Sequence, residues 1–298
     1  MRDAGPRVVV LGGAGFMGSH TADALTDRGY EVVVFDRVPS PWLRDGQQMI
    51  VGDILDREAV REAVRGAGYV YHFAGIAEIA EARKRPYEAV LVNVMGTANA
   101  LQSCVDEGVR RFVYASTMYV YSPFGSVYRA TKQAAESIIE SYHEIHGLEY
   151  TLLRYGSLYG PRAQGWNGLR AYVTQVVRDR KLRVEGDERR VREYIHVSDA
   201  ARLSVDVLDK QHANQAIIVT GLQVLSDRQL AQMIFEIAGV DMIIEAGSPE
   251  SFPSHYKTTP YRYTPKQARK LVPSEFVDIG QGILELVEEV HREQESDD

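Results

Sequence analysis

The sequence predicts an α/β protein built on a doubly wound parallel sheet, with a smaller lobe toward its C-terminus. Three observations carry that expectation. Strand-like and helix-like patterns alternate six times between Arg7 and Arg154, which is the rhythm of βαβ units. The strand-like runs are continuous apolar blocks, as happens when helices cover both faces of a sheet. A glycine-rich turn separates the first strand from the first helix.

Taken in order, RVVVL (Arg7 to Leu11) is a buried strand rich in β-branched residues, and HTADALTDRG has helical spacing that Gly29 ends. EVVVF (Glu31 to Phe35) is the second strand, and QMIVG, near Met49, a short third. DREAVREAVRG is an amphipathic helix, followed by YVYHF (Tyr69 to Phe73) as the fourth strand. PYEAVLVNVMGTANALQSCVDEG reads as one long helix with Pro86 in its first turn, where no N–H is missed. RFVYAS (Arg111 to Ser116) is the fifth strand, YRATKQAAESIIESYHEIHG a helix closed by Gly147, and EYTLLR (Glu149 to Arg154) the sixth strand. Beyond Arg154 the rhythm loosens. Gly and Pro cluster in YGSLYGPRAQGWNG; a helix near Leu169 to Asp179, a mixed region, the helix SDRQLAQMIFEIAG and a last helical run, GQGILELVEEVHREQ, follow. Residues 1–160 are expected to form the sheet domain, and residues 161–298 mainly the smaller lobe, with segments returning to the sheet domain.

With 298 residues, 45% hydrophobic and 25% charged, the chain has the make-up of a soluble globular protein able to bury a sizeable core. A formal net charge of -7 argues against a general nucleic-acid binder, which needs a basic face to displace counterions. The basic segment RDRKLRVEGDERRVR (Arg178 to Arg192) is broken by Asp179, Glu185, Asp187 and Glu188. It is either a solvated face or an anion site. The single cysteine, Cys104, sits in a helical pattern and reads as a small packed residue. One cysteine allows no intrachain disulfide, which fits a reducing, cytoplasmic setting. There is no signal-peptide pattern and no run of about 20 apolar residues, so no membrane partner is expected, and no metal site either.

LGGAGFMG follows the first strand and opens the first helix, setting Gly12, Gly15 and Gly18 in the spacing GxxGxxG. The first glycine lets the chain turn sharply. The second lets the backbone approach a pyrophosphate, and the third lets the helix pack closely on the strand. Backbone N–H groups and the positive helix end then face the phosphates. Asp36, just past the second strand, is placed to accept hydrogen bonds from adenosine ribose hydroxyls and to repel the extra phosphate of NADP. Arg37 follows directly, so NADP stays open while NAD is favoured. Asp53, in GDIL after the third strand, either meets the adenine amino group or caps a helix. The sheet domain is therefore expected to be a Rossmann-type NAD-binding domain.

Tyr128 and Lys132, in YRATK, stand four positions apart and share a face if the segment is helical. A phenol is a poor base at neutral pH. A neighbouring ammonium favours the phenolate, which could then take a proton from a substrate hydroxyl. The pair alone says little in a chain with 17 tyrosines. Its place, at the start of the helix after the fifth strand of a dinucleotide fold, gives it weight.

With GGAGFMG, Asp36, GDI at Gly52, HFAG at His72 to Gly75, NVMGT at Asn93 to Thr97, AST at Ala115 to Thr117, YRATK, RYGSLYGPR at Arg154 to Arg162 and REYIHVSDAA at Arg192 to Ala201, the chain resembles the NAD-dependent epimerase/dehydratase branch of the extended short-chain dehydrogenase/reductase superfamily. The resemblance implies a smaller C-terminal substrate-binding lobe. It implies Tyr128 as catalytic acid/base, Lys132 as the group that lowers its pKa and holds the nicotinamide ribose, and Thr117 as a hydrogen-bond partner of the reacting oxygen. The cofactor would lie along Gly12, Gly15, Phe16, Met17, Gly18, Asp36, Arg37, Asp53 and Ile54, then Phe73, Ala74 and Gly75 of HFAG, Asn93, Tyr128, Lys132 and Tyr155. The substrate side would use Thr117, Met118, Tyr119, Ser157, Arg162 and Arg192, the last gripping a diphosphate.

Departures from the family pattern narrow the reaction. Dehydratases place an acidic pair, and decarboxylases a glutamate, directly after the catalytic Thr; here those positions hold Met118 and Tyr119. Ser157 replaces the usual Asn of RYxN, the segment from Thr117 to Tyr128 is short, and Lys257 or Arg262 would stand in for a late basic residue. HFAG is similar to the form in nucleotide-sugar 4-epimerases. The expectation is an NAD-dependent nucleotide-sugar 4-epimerase, with a UDP-sugar as substrate, acting through a transient 4-keto sugar, and a homodimer by resemblance. The alternatives are an unusual dehydratase or ketosugar reductase of the same family, and a non-catalytic dinucleotide-binding protein.

Overall fold

In a computed structural model, the apolar runs of the N-terminal half become the parallel strands of one sheet. The structure describes residues 5–184, 190–222, 224–246, 258 and 260, all within one unit of the chain, Met1–Thr264. The sheet contains β1 (Gly5–Leu11), β2 (Tyr30–Asp36), β3 (Gln47–Val51), β4 (Tyr69–His72), β5 (Arg111–Thr117), β6 (Glu149–Tyr155) and β10 (Gln215–Val219). Its order is β10-β6-β5-β4-β1-β2-β3 with every pairing parallel. The order reverses between β1 and β4, which opens a crevice at the carboxyl ends of the strands.

Alternation of side chains along each strand splits the core into two layers. Val8, Val10, Val32, Val34 and Leu153 face α1 (Phe16–Asp27) and α8 (Val197–Asp206). Val9, Leu11, Val33, Phe35, Phe112 and Leu152 face α2 (Arg57–Val64), α5 (Gly96–Asp106) and α6 (Ser126–His146). Cys104 is fully buried in that second layer, as a packed residue. The helices end where the sequence predicts: Gly29 follows α1 at φ +83°, and Gly147 closes α6 in the left-handed region.

The predicted long helix is three pieces. It begins as α4 (Pro86–Val90), widens into a π turn at Leu91–Met95, and continues as α5. A short helix, α3 (Ile79–Lys84), precedes it, outside the elements the sequence predicts. In the C-terminal half the structure adds β7 (Ser157–Tyr159), α7 (Gly168–Asp179), β8 (Leu182–Val184), β9 (Val191–His196), β11 (Val224–Ser226), α9 (Asp227–Ala238) and β12 (Ile244–Ala246). β11-β9-β7 and β12-β8 form two small sheets. α7, α9 and β8 share a core of Val176, Leu182, Val184, Leu230, Ile234 and Phe235. The expected last helix, GQGILELVEEVHREQ, and the candidates Lys257 and Arg262 lie outside the described residues.

Candidate active site

A cleft of about 1200 Å³ runs along the carboxyl ends of the strands. One wall is the glycine loop. Gly12 N–H donates to Phe35 O at 2.8 Å and Gly15 N–H to Gly12 O at 3.2 Å. Gly12 has φ +80°, and a Cβ there would stand 2.3 Å from Ala74 N, so the turn seats directly on the HFAG segment. A Cβ on Gly18 would stand 2.3 Å from Gly12 O, whereas one on Gly15 would meet only Gly12 O, at 3.3 Å. Gly15 therefore leaves open space on its cleft side. Phe16, Met17, Gly18, Arg37, Ile54, Phe73, Ala74 and Gly75 line the same wall.

Asp36 stands at the end of β2 with its Oδ2 accepting from Ala14 N–H at 3.0 Å and its Oδ1 from Val38 N–H at 3.4 Å. Both bonds hold the carboxylate at the cleft. Asp53 also lines the cleft. Its Oδ1 accepts from Leu55 N–H at 2.9 Å, and the cap of α2 is Asp56, which accepts from Ala59 N–H at 3.1 Å. The capping alternative for Asp53 is thereby removed.

Tyr128 and Lys132 lie one turn apart on α6 and both line the cleft, with Thr117 at the end of β5. The three are buried, at 9%, 5% and 6% exposure. Lys132 Nζ donates to Ala115 O at 2.6 Å and lies 4.6 Å from the Tyr114 ring centroid and 5.9 Å from that of Tyr128. Burial pushes the Lys132 ammonium down to about 8, and the Glu136 carboxylate opposes that shift. Thr117 Oγ1 accepts from Tyr119 N–H at 3.3 Å, which leaves its hydroxyl hydrogen to be donated elsewhere. Tyr119 packs edge-on against Tyr128, with ring centroids 6.2 Å apart. Tyr155 lines the cleft with its hydroxyl paired to Ser204 Oγ at 2.6 Å; burial raises its pKa, so it stays a neutral phenol. Ser157 and Arg192 line the far side.

Three expected residues are placed elsewhere. Asn93, expected at the cofactor, lies beneath the cleft in the π turn. Its Oδ1 accepts from Ile76 N–H at 2.7 Å, and its Nδ2 donates to Ile76 O and to Thr131 Oγ1. The amide is spent bracing the loop after β4 against α6. Met118 is fully buried, because the chain turns into a 3₁₀ segment at Met118–Tyr121 and sends that side chain inward. Arg162 pairs with Asp23 at 2.9 Å and covers the Trp42 ring at 4.9 Å, outside the cleft.

The sequence reading passed over two groups. Ser116, Glu136, Arg154 and Tyr121 form a hydrogen-bonded set behind Lys132. Glu136 extends the stripe Tyr128, Lys132 by one more turn, a spacing visible in the sequence. Arg190 pairs with Asp227 at 2.9 Å in the cleft wall, next but one to Arg192. Arg183, Arg190 and Arg192 thus bring part of the basic segment to the cleft. Among the described residues no group of His, Cys, Asp and Glu is placed to hold a metal ion, and no helix is long and apolar enough to cross a membrane.

Residues 8–221 match the NAD dependent epimerase/dehydratase family. The chain belongs to that family. A UDP-N-acetyl-alpha-D-glucosaminuronate decarboxylase of Bacillus cytotoxicus is 27% identical over 284 residues, covering 86% of this chain and 88% of that relative. The structure of UDP-glucose 4-epimerase from Thermotoga maritima with UDP-glucose superposes with a TM-score of 0.79 at 26% identity, covering 87% of this chain and 90% of the other. The Thermus thermophilus UDP-glucose 4-epimerase in complex with NAD gives 0.77 at 28% identity, covering 85% and 89%.

The residues of this family member fit NAD on their own geometry. Gly15 leaves the phosphate side of the loop open, the N-terminus of α1 points its free N–H groups there, and the fixed Asp36 carboxylate suits a ribose diol and opposes a phosphate in its place. Phe73 and Tyr155, with ring centroids 6.4 Å apart, add an apolar stretch to the cleft lining.

Proposed function

We propose that the chain is an NAD-dependent nucleotide-sugar 4-epimerase acting on a UDP-sugar through a transient 4-keto sugar. The observation that carries this is one cleft holding the glycine loop, Thr117, Tyr128, Lys132 and Arg192, with Met118 turned away and Tyr119 where a dehydratase or decarboxylase needs a carboxylate. Epimerisation needs one acid/base and no second proton donor, and that is what the cleft offers. NAD, when bound, supplies the acceptor and later the donor of a hydride at C4. Tyr128 takes the C4 hydroxyl proton and returns it once the sugar has turned over. Lys132 stabilises the phenolate while that proton is held, and Thr117 donates a hydrogen bond to the reacting oxygen. Arg192, with its planar fork of donors, grips the diphosphate. The buried walls keep water from the charged groups.

In this reading residues 1–160 serve NAD, and residues 161–298 serve mainly the nucleotide-sugar, in a cytoplasmic enzyme. The chain pairs as a homodimer through α4, the π turn, α5 and α6, whose exposed apolar side chains include Tyr87, Val90, Met95 and Ile145. Sedimentation at several concentrations tests the pairing; a monomer throughout removes it. The reaction is tested by incubating purified protein with UDP-hexoses and UDP-uronic acids and following products by NMR. C4-inverted sugar without net change in reduced nicotinamide is expected. A product lighter by one water or by carbon dioxide would overturn the proposal.

A further inference from the structure

The wall behind Lys132 contains an ion pair that the proposed reaction does not use. Glu136 sits one turn beyond Lys132 on α6 and is 7% exposed. Its Oε1 accepts from Ser116 Oγ at 2.5 Å and from Arg154 Nε at 2.9 Å, and its Oε2 accepts from Arg154 Nη2 at 2.7 Å. Arg154 comes from β6, donates to the Tyr121 hydroxyl and covers that ring at 4.8 Å. The carboxylate is thus held at a fixed place by two strands and its own helix. Ser116, which precedes Thr117 on β5, is buried and lines the cleft. Its hydroxyl proton is committed to Glu136.

The groups around Lys132 show what that fixed charge does. Tyr128 faces it from its own helix and Tyr114 from β5. His72 lies beneath it on β4, and burial, aided by the Lys132 charge, lowers its pKa to about 3, so it is neutral. Among the described residues, Glu136 is the anionic group that acts on the ammonium. Burial alone would drive Lys132 toward the neutral amine, and a neutral amine cannot stabilise a phenolate.

We propose that Glu136, clamped by Arg154 and Ser116, is a positioning residue that keeps Lys132 charged and fixes the end of β5 that carries Thr117. The inference rests on the reading of Lys132 as the partner of Tyr128. Its test has a readout that does not need turnover.

The experiment is acetylation of the full-length protein by acetic anhydride across neutral to alkaline pH, with Lys132 modification measured by peptide mass spectrometry. Only the neutral amine reacts, so the midpoint reports the charge state. The wild-type midpoint is expected near pH 8. Glu136→Gln keeps the shape and removes the charge, and should lower the midpoint by about one pH unit, with Glu136→Asp falling between. The alkaline limb of the kcat profile should move down by a similar amount while the KM for UDP-sugar holds. A purely structural role would lower kcat at every pH and leave the midpoint in place. If Glu136→Gln does not fold, Arg154→Gln leaves the carboxylate in place without its neutralising partner, and the midpoint should rise instead. Coincident midpoints for wild type and the folded variant sink the inference. A shifted midpoint in a protein that never turns over UDP-sugars upholds it and sinks the epimerase reading instead.

Discussion

Two glycines of the same loop should fail in opposite ways when given a methyl group. At Gly18 a Cβ would lie 2.3 Å from Gly12 O and 2.9 Å from Gly13 Cα, both backbone atoms. Backbone cannot swing aside as a side chain can, so the loop must separate from α1. Overpacking of this kind costs about 1–3 kcal/mol, or at most about 2 °C of melting temperature per kcal/mol for a chain this large. At Gly15 the backbone has φ −75° and ψ 177°, which alanine adopts freely, and a Cβ would meet only Gly12 O at 3.3 Å. Gly15→Ala should therefore cost about 1 kcal/mol or less. Its methyl would occupy the space reserved for the pyrophosphate, and NAD should bind at least about tenfold more weakly, a loss of about 1.4 kcal/mol. Thermal melts of both variants without ligand, and calorimetric titration with NAD, separate the effects. Wild-type NAD affinity in a folded Gly15→Ala protein would refute the assignment of this loop to phosphate.

Tyr128→Phe should reduce kcat by about 10²–10⁴-fold with NAD binding unchanged, read by NMR turnover and calorimetry; near-normal turnover would remove Tyr128 as the acid/base. Arg192→Ala should raise the KM for UDP-sugar, while Arg162→Ala, whose partner is Asp23 outside the cleft, should leave KM alone and lower the melting temperature, because it strands the part-buried Asp23 and uncovers Trp42. For His72, burial lowers the pKa from 6.5 to about 3, so below pH 6.5 the unfolded chain binds a proton that the folded chain refuses. Stability is then full above pH 6.5 and falls toward pH 3, by at most about 1.4 kcal/mol per unit from this group. His72→Gln should flatten that slope in urea denaturation series, and an unchanged slope would mean that His72 titrates in the fold.

Much of the sheet domain is legible because its signals are local. Six apolar runs, each followed by a turn or helix signal, become β1 to β6 almost residue for residue. Gly12, Gly15, Gly18, Asp36, Thr117, Tyr128, Lys132 and Arg192 reach one cleft because strand ends and helix starts fix where their side chains emerge. The strand β10 escaped the reading although QAIIV is a plausible run. Its partner β6 ends at Tyr155, so about 60 residues separate Leu152 from Ala216, with which it pairs. Three-residue strands such as β7, β8 and β11 are too short to show a period. Asn93, Met118 and Arg162 were misplaced for another reason. Asn93 and Met118 sit beside the cleft residues Val92 and Thr117, and Arg162 lies two positions from Gln164; only the local backbone, a π turn, a 3₁₀ turn and a left-handed residue at φ 64°, decides which way each side chain leaves.

The parallel pairing of β10 with β6 also bears on how the molecule can be divided. A fragment stopping at residue 160 would keep six strands but strip β6 of its outer neighbour along Thr151 to Tyr155. A row of amide and carbonyl groups flanked by Leu152 and Leu153 would then face solvent, an invitation to strand addition by another copy. Excision of the N-terminal half should yield aggregates, whereas a fragment running through Val219 carries its own selvage.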